Sequence, residues 1–193
     1  KALADPLVST DWSGPTREFL AASGALAMTF VLALLFIYLL LSAQFESFKH
    51  PVVILFTVPL AMLGAVLALR LTGGSLNVYS QIGLITLVGL ITKHGILIVE
   101  FANQLRDQGV APAQAVLDAA VQRLRPVLMT TATMVLGALP LAFATGAGAE
   151  ARHPIGWVIV GGMSLGTLFT LFVVPAVYLL VSARGASGEL RSA

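Results

Sequence analysis

The sequence has no cysteine, so disulfides and thiolate metal sites are excluded. Charge is nearly as scarce. Only 10% of the 193 residues are Asp, Glu, Lys or Arg, against about 25% in a typical soluble domain. The net charge of +2 is too small to mark a nucleic-acid binder. Histidine occurs three times, at His50, His94 and His153, in widely separated stretches, so no metal cluster is expected. No phosphate loop, no H-E-x-x-H pattern and no cofactor motif is present, and no cofactor is expected. The first residues, Lys1 to Glu18, contain no short apolar core, so they do not read as a cleavable signal peptide. The chain starts with Lys rather than Met and is expected to be part of a longer polypeptide.

What remains is apolar: 58% of the residues are hydrophobic. Charge-free runs cover the residues between Glu18 and Glu46, Pro51 to Leu69, Leu71 to Thr92, Pro126 to Ala149 and Pro154 to Ala183. A helix rising 1.5 Å per residue needs about 20 such residues to cross a bilayer's hydrocarbon core. The runs do not alternate as barrel strands do, and in lipid the backbone must be satisfied within each segment. The expected fold is therefore an all-α membrane protein with five transmembrane helices, near 22–45, 51–70, 78–102, 126–146 and 155–182. Pro51, Pro126 and Pro154 are placed at helix starts. Pro59, Pro140 and Pro175 fall inside helices and are expected to bend them.

Between the third and fourth helices, Ala113, Val116, Leu117, Ala120, Val121 and Leu124 repeat at helical spacing. A short amphipathic helix at about 112–123, lying on the cytoplasmic surface, is expected there. One set of loops holds six Lys or Arg residues and the other holds four. The positive-inside rule then places the N-terminus outside and the C-terminal tail, 184–193, in the cytoplasm.

Lys93 interrupts the third apolar run, about two turns from the expected end of its helix. An unpaired Lys near the membrane centre costs at least about 2.5–3.5 kcal/mol. None of the nine acids lies in the core of an expected helix. Glu100 is nearest, but seven residues on it is about 10.8 Å away along the axis. The counter-charge is expected outside this chain. The bland alternative is a Lys that snorkels to the interface. His94, next to it, points about 100° away and titrates in the useful range, though a packing role is the simpler reading. Thr130, Thr131 and Thr133 open the fourth helix, where membrane threonines usually bond their own backbone. Arg123 and Arg125 read by default as anchors at the cytoplasmic edge. Gly161, Gly162 and Gly166 supply small residues for close helix packing. Gly162 to Gly166 also reads G-M-S-L-G, the hydrolase nucleophile pattern, but in a helical run rather than a strand–turn–helix. An intramembrane Ser164–His94 hydrolase is thus an enzyme alternative, and a non-transporting membrane scaffold or truncated remnant is another.

The segments SAQFESF (42–48), PVVILFTVPLAMLGA (51–65), VYSQIGLITLVGLITKHGILIVEFANQL (78–105), RLRPVLMTTATMVLGALPL (123–141) and GGMSLGTLFTLFVVPAVYLL (161–180) occur in this order. In them the stretch from Asp11 to Val181 resembles the C-terminal membrane region of resistance–nodulation–division (RND) multidrug efflux permeases of the hydrophobe/amphiphile branch. The resemblance implies that the five helices correspond to helices eight to twelve of a twelve-helix protomer. Asp11-Trp12-Ser13-Gly14 looks like the end of a periplasmic porter segment, making 1–21 porter end and linker. Lys93 matches the family's relay Lys, which pairs with two aspartates in the N-terminal half, and Arg123 and Thr130 match its further relay residues. His94 departs from the Asn usual at that place. The implied activity is drug/proton antiport, a secondary active transport rather than an enzyme reaction. The implied setting is the bacterial inner membrane, in contact with lipid. The implied partners are the N-terminal half of the same transporter, further copies in a homotrimer, a periplasmic adaptor, an outer-membrane channel and small-molecule substrates. The family's principal drug-binding domains have no counterpart in these residues.

Overall fold

A computed structural model describes the backbone of residues 15–189 and the side chains of residues 24–180. Asp11 to Gly14, expected to end a porter segment, lie outside the described residues, as do 190–193 of the expected tail. The described residues form six helices: α1 (Pro15–Phe45), α2 (Lys49–Leu55), α3 (Thr57–Leu71), α4 (Val78–Asp107), α5 (Pro112–Ala142) and α6 (Ala149–Glu189). They supply five segments long and apolar enough to cross a membrane, with α2 and α3 together making the second.

The departures from the expected boundaries have local causes. The second span is interrupted only at Phe56, whose backbone stays helical (φ −63°, ψ −18°) and whose N–H still reaches the Val52 carbonyl at 3.1 Å, so the disturbance expected of Pro59 is local. Pro59 has no N–H for the carbonyl of Leu55, and its ring crowds that carbonyl. The buried Thr57 hydroxyl donates to the Ile54 carbonyl at 2.7 Å, so the interrupted turn is not left bare. Pro126 does not start a helix: α5 runs through it from Pro112 to Ala142. The amphipathic segment and the fourth span are therefore one continuous helix. Thr130 Oγ1 donates into the turn that starts at Pro126, with carbonyl contacts of 3.1 Å (Pro126) and 2.9 Å (Val127). Pro154 likewise lies inside α6 rather than at its start. α4 continues to Asp107, beyond the expected end at 102. Its start is fixed by a capping box in which Asn77 Oδ1 accepts from the Ser80 N–H and Ser80 Oγ accepts from the Asn77 N–H, both at 2.8 Å. Gly73 (φ 70°) and Gly109 (φ 90°) end α3 and α4 in the left-handed conformation that glycine adopts without cost.

α6 runs through the middle, packed on α3, α4 and α5, while α1 stands at the edge and is largely exposed. Glycine decides how close α6 comes. A Cβ on Gly161 would lie against the Ala68 Cβ, and one on Gly156 would strike the Ala142 backbone. Gly162 faces Leu87 and Gly166 faces Ala61, again with no room for a methyl group. Helices without a hydrophobic drive between them associate through such contacts. Gly156→Ala should therefore destabilise the bundle by about 1–3 kcal/mol, the usual cost of overpacking. Gly24→Ala, which meets open space, should not. Thermal unfolding in detergent separates the two.

Two apolar clusters fill the interior. One gathers Leu41, Val53, Ile54, Ile98, Val99 and Tyr178. The other gathers Val58, Ala65, Leu87, Val88, Ile91 and Met163. Along α4 the boundary between them falls at Thr92–His94, and along the second span near the break, where Gly95 packs on Ile54. An interrupted helix and buried polar groups thus share one level, away from both ends of the bundle.

Candidate proton-coupling site

Lys93 lies fourteen residues from the C-terminal end of α4, about 21 Å along the axis. That is deeper than the shorter expected helix implied. Its side chain is exposed on the outside of the five-span bundle. It belongs to a stripe of exposed residues, Ile82, Thr86, Gly89, Lys93, Glu100 and Gln104, spaced by three, four or seven positions. That spacing keeps one face of a helix, and Gly89 has open space where a side chain would stand. A face carrying threonine, glycine and a central ammonium is unsuited to lipid and suited to another helix.

His94, one residue on, points inward and is fully buried. Its two ring nitrogens reach two other helices. Nε2 lies 3.2 Å from Thr130 Oγ1 on α5, and Nδ1 lies 3.3 Å from Thr167 Oγ1 on α6. Thr167 Oγ1 is in turn 3.0 Å from Thr131 Oγ1, and Thr131 Oγ1 is 2.9 Å from the Val127 carbonyl. Each hydroxyl has one proton to give. A neutral ring satisfies both contacts: Nδ1–H donates to Thr167, Thr167 donates to Thr131 and Thr131 to the Val127 carbonyl, while the Thr130 hydroxyl turns from the backbone to donate to Nε2. The tautomer of His94 is thereby tied to the hydrogen-bond directions on α5 and α6.

Of the other residues singled out by sequence, Arg123 sits two turns before Thr130 on α5 and is not brought to this layer. Its guanidinium carbon lies 4.6 Å from the centroid of the Phe101 ring, and its Nε is buried without a partner among the described residues. Thr133 is exposed and bonds its own backbone, to Met129 O at 2.9 Å. Ser164 is exposed, while His94 is buried and bonded to Thr130 and Thr167, so the hydrolase pairing has no geometry here. Among the described residues no three of His, Cys, Asp and Glu converge as metal ligands.

Thr167 was not singled out by sequence, because a threonine inside an apolar helix usually bonds its own carbonyl and its partner is 73 residues away. Thr167→Val keeps the shape and removes two side-chain bonds. It should cost about 1–2 kcal/mol, whereas Thr167→Ser should keep most of the stability. Thermal unfolding again provides the measurement.

Two comparisons bear on this arrangement. The model of the AcrB/AcrD/AcrF family matches residues 5–182. A protein of Haemophilus influenzae (strain ATCC 51907 / DSM 11121 / KW20 / Rd) named an uncharacterized transporter is 51% identical over 179 residues, covering 89% of this chain and 17% of its own length. The chain thus spans about a sixth of that relative. With nearly all of its residues matched and its helices able to cross a membrane, the chain belongs to the AcrB/AcrD/AcrF family of RND permeases.

Proposed function

We propose that this chain serves as the C-terminal membrane half of an efflux transporter driven by the proton-motive force, exchanging protons for drug-like substrates. The observation that carries the reading is Lys93: an ammonium near the middle of a membrane helix, on a polar outward face. Its anionic partners then come from the N-terminal half of the same transporter, docked on the Ile82–Gln104 stripe. Protons from outside titrate those anions, Lys93 is released and recaptured, and the adjacent His94 passes each change to α5 and α6 through Thr130 and Thr167. Arg123, whose Nε is buried without a partner among the described residues, serves the same relay from α5. The interrupted second span beside this layer gives the bundle a place to move.

In this reading the protein resides in the bacterial inner membrane, with its N-terminus periplasmic and its C-terminus cytoplasmic. It works as a homotrimer with a periplasmic adaptor and an outer-membrane channel. The test is reconstitution of the intact transporter in liposomes carrying a pH dye. Addition of a substrate on the uptake side should start proton movement that stops when the gradient is collapsed. Proton movement that ignores substrate would reject antiport.

A further inference from the structure

A second polar network lies outside the Lys93 layer, at the end of the bundle that holds the α1–α2 turn and the α4–α5 connection. Tyr178, the largest fully buried side chain among the described residues, donates from its hydroxyl to Asn103 Oδ1 at 2.8 Å and accepts from an Arg106 guanidinium nitrogen at 3.2 Å. Asn103 Nδ2 is 3.1 Å from His50 Nδ1. The His50 ring also stacks on Tyr178, with centroids 5.8 Å apart, and meets the Phe45 ring edge-on. The four polar residues come from α2, α4 and α6, and Phe45 closes α1.

The direction of every bond follows from Arg106, which can only donate. Tyr178 oxygen accepts from it, so the Tyr178 hydrogen goes to Asn103 Oδ1. The amide nitrogen of Asn103 then faces His50 and must donate. His50 Nδ1 must accept, and only a neutral ring with its proton on Nε2 does that. Turning the amide round to receive a protonated Nδ1 would leave the buried Tyr178 hydrogen without an acceptor. The network therefore closes with neutral His50 and opens when His50 gains a proton.

We propose that His50, Asn103, Tyr178 and Arg106 form a protonation-sensitive latch that clamps the short helix α2, and with it the interrupted second span, to α4 and α6. The charged groups acting on His50 are Arg106 from α4 and Lys49 from its own helix. α6 presents the Tyr178 hydroxyl, and α1 presents the uncharged Phe45 ring with Glu46 just beyond it. α3 carries no titratable side chain except Arg70 at its far end. The latch is separate from the Lys93 layer. Its position at one end makes it a positioning network: closed, it holds α2 in place during a transport step, and open, it frees α2 to move. Its effect on flux rests on the transport reading, whereas its opening does not.

The experiment uses the intact transporter, freed of other cysteines, with Val53→Cys under α2. Val53 is buried in the closed state. Labelling by a small thiol reagent is expressed throughout relative to an exposed Gln108→Cys reference at the same pH, because only the thiolate reacts; on that scale the site should label slowly above the histidine range and about fivefold faster below it, the weight of one net hydrogen bond. His50→Asn keeps an acceptor near Nδ1 but does not titrate, so labelling should stay slow at both pH values. Tyr178→Phe removes the bond that orients the amide and should label fast at both. Should Tyr178→Phe fail to fold, His50→Asn still decides. Labelling that remains pH-dependent in His50→Asn, or that is pH-independent in the Val53→Cys parent, would overturn the latch. Substrate-driven proton flux measured on the same samples keeps the two ideas apart. Absent flux with intact pH-dependent labelling rejects transport and keeps the latch, and the reverse pattern rejects the latch alone.

Discussion

Lys93→Ala in the intact transporter is expected to reduce substrate-driven proton movement to background, with the protein still present in the membrane at its normal level. The two halves of this expectation come from different facts. Lys93 is exposed on the five-span bundle and supports none of its packing, so its truncation leaves the helices of this chain in place. In the proposed mechanism its removal deprives the anions opposite of their counter-charge, and breaking one side of a buried pair costs about 3–5 kcal/mol. At roughly 1.4 kcal/mol for each factor of ten, that is a loss of two orders of magnitude or more in any step that needs the pair. Lys93→Arg is not a safe substitute, because a planar guanidinium reaches and bonds differently from a compact ammonium. Retained flux in Lys93→Ala, measured with a pH dye beside a quantitative blot, would remove the residue from the coupling step.

The second large effect is expected at His94. His94→Leu fills similar space but cuts both links, to Thr130 and Thr167. Two lost hydrogen bonds at about 1 kcal/mol each amount to a drop in flux on the order of tenfold or more. His94→Asn is the informative contrast. Its amide offers one donor and one acceptor, the same set that a neutral imidazole offers. If His94 links α4 to α5 and α6 through these bonds, His94→Asn should keep most of the flux that His94→Leu loses. A residue that only fills space would instead tolerate leucine. Flux measured in the three proteins decides between these.

The sequence made the five spans legible because charge is excluded from lipid more strictly than any residue pattern is enforced. Glu46, Arg70, Arg125 and Glu150 mark the borders even where hydropathy is uniform. It was less informative about proline. Pro126 looks like a helix start, yet α5 passes through it, because the local cost of one missing donor is met by the rest of a long helix. Pro59 reads from the sequence as a bend inside a helix, and the span is interrupted just before it at Phe56, where Thr57 can satisfy a freed carbonyl. The difference lies in packing, which spacing does not encode.

The candidate site divides in the same way. The isolation of Lys93 could be read from the list of acids alone. The adjacency of Lys93 and His94 in sequence, with one facing out and one facing in, follows from the 100° step of a helix. Which helices receive His94 could not be read, since Thr167 lies 73 residues away in a span whose polar residues carry no distinctive spacing. The His50–Asn103–Tyr178 network was missed for the same reason. A histidine just before Pro51, an asparagine near a helix end and a tyrosine near another become related only when α2, α4 and α6 are set side by side.

All of this depends on protein covering the outward face of α4 in the assembled transporter. The direct measurement places a spin label through Thr86→Cys, about two turns before Lys93 on that face, in the intact protein in bilayers. Collision with dissolved oxygen, which concentrates in lipid, is compared with a label at Leu63, on the exposed apolar side of α3. The Thr86 label should be shielded from oxygen and from a water-soluble relaxant alike, while the Leu63 label relaxes freely with oxygen. Equal and rapid oxygen collision at both positions would mean that lipid covers the Lys93 face, and Lys93 would then have no protein partner to work against.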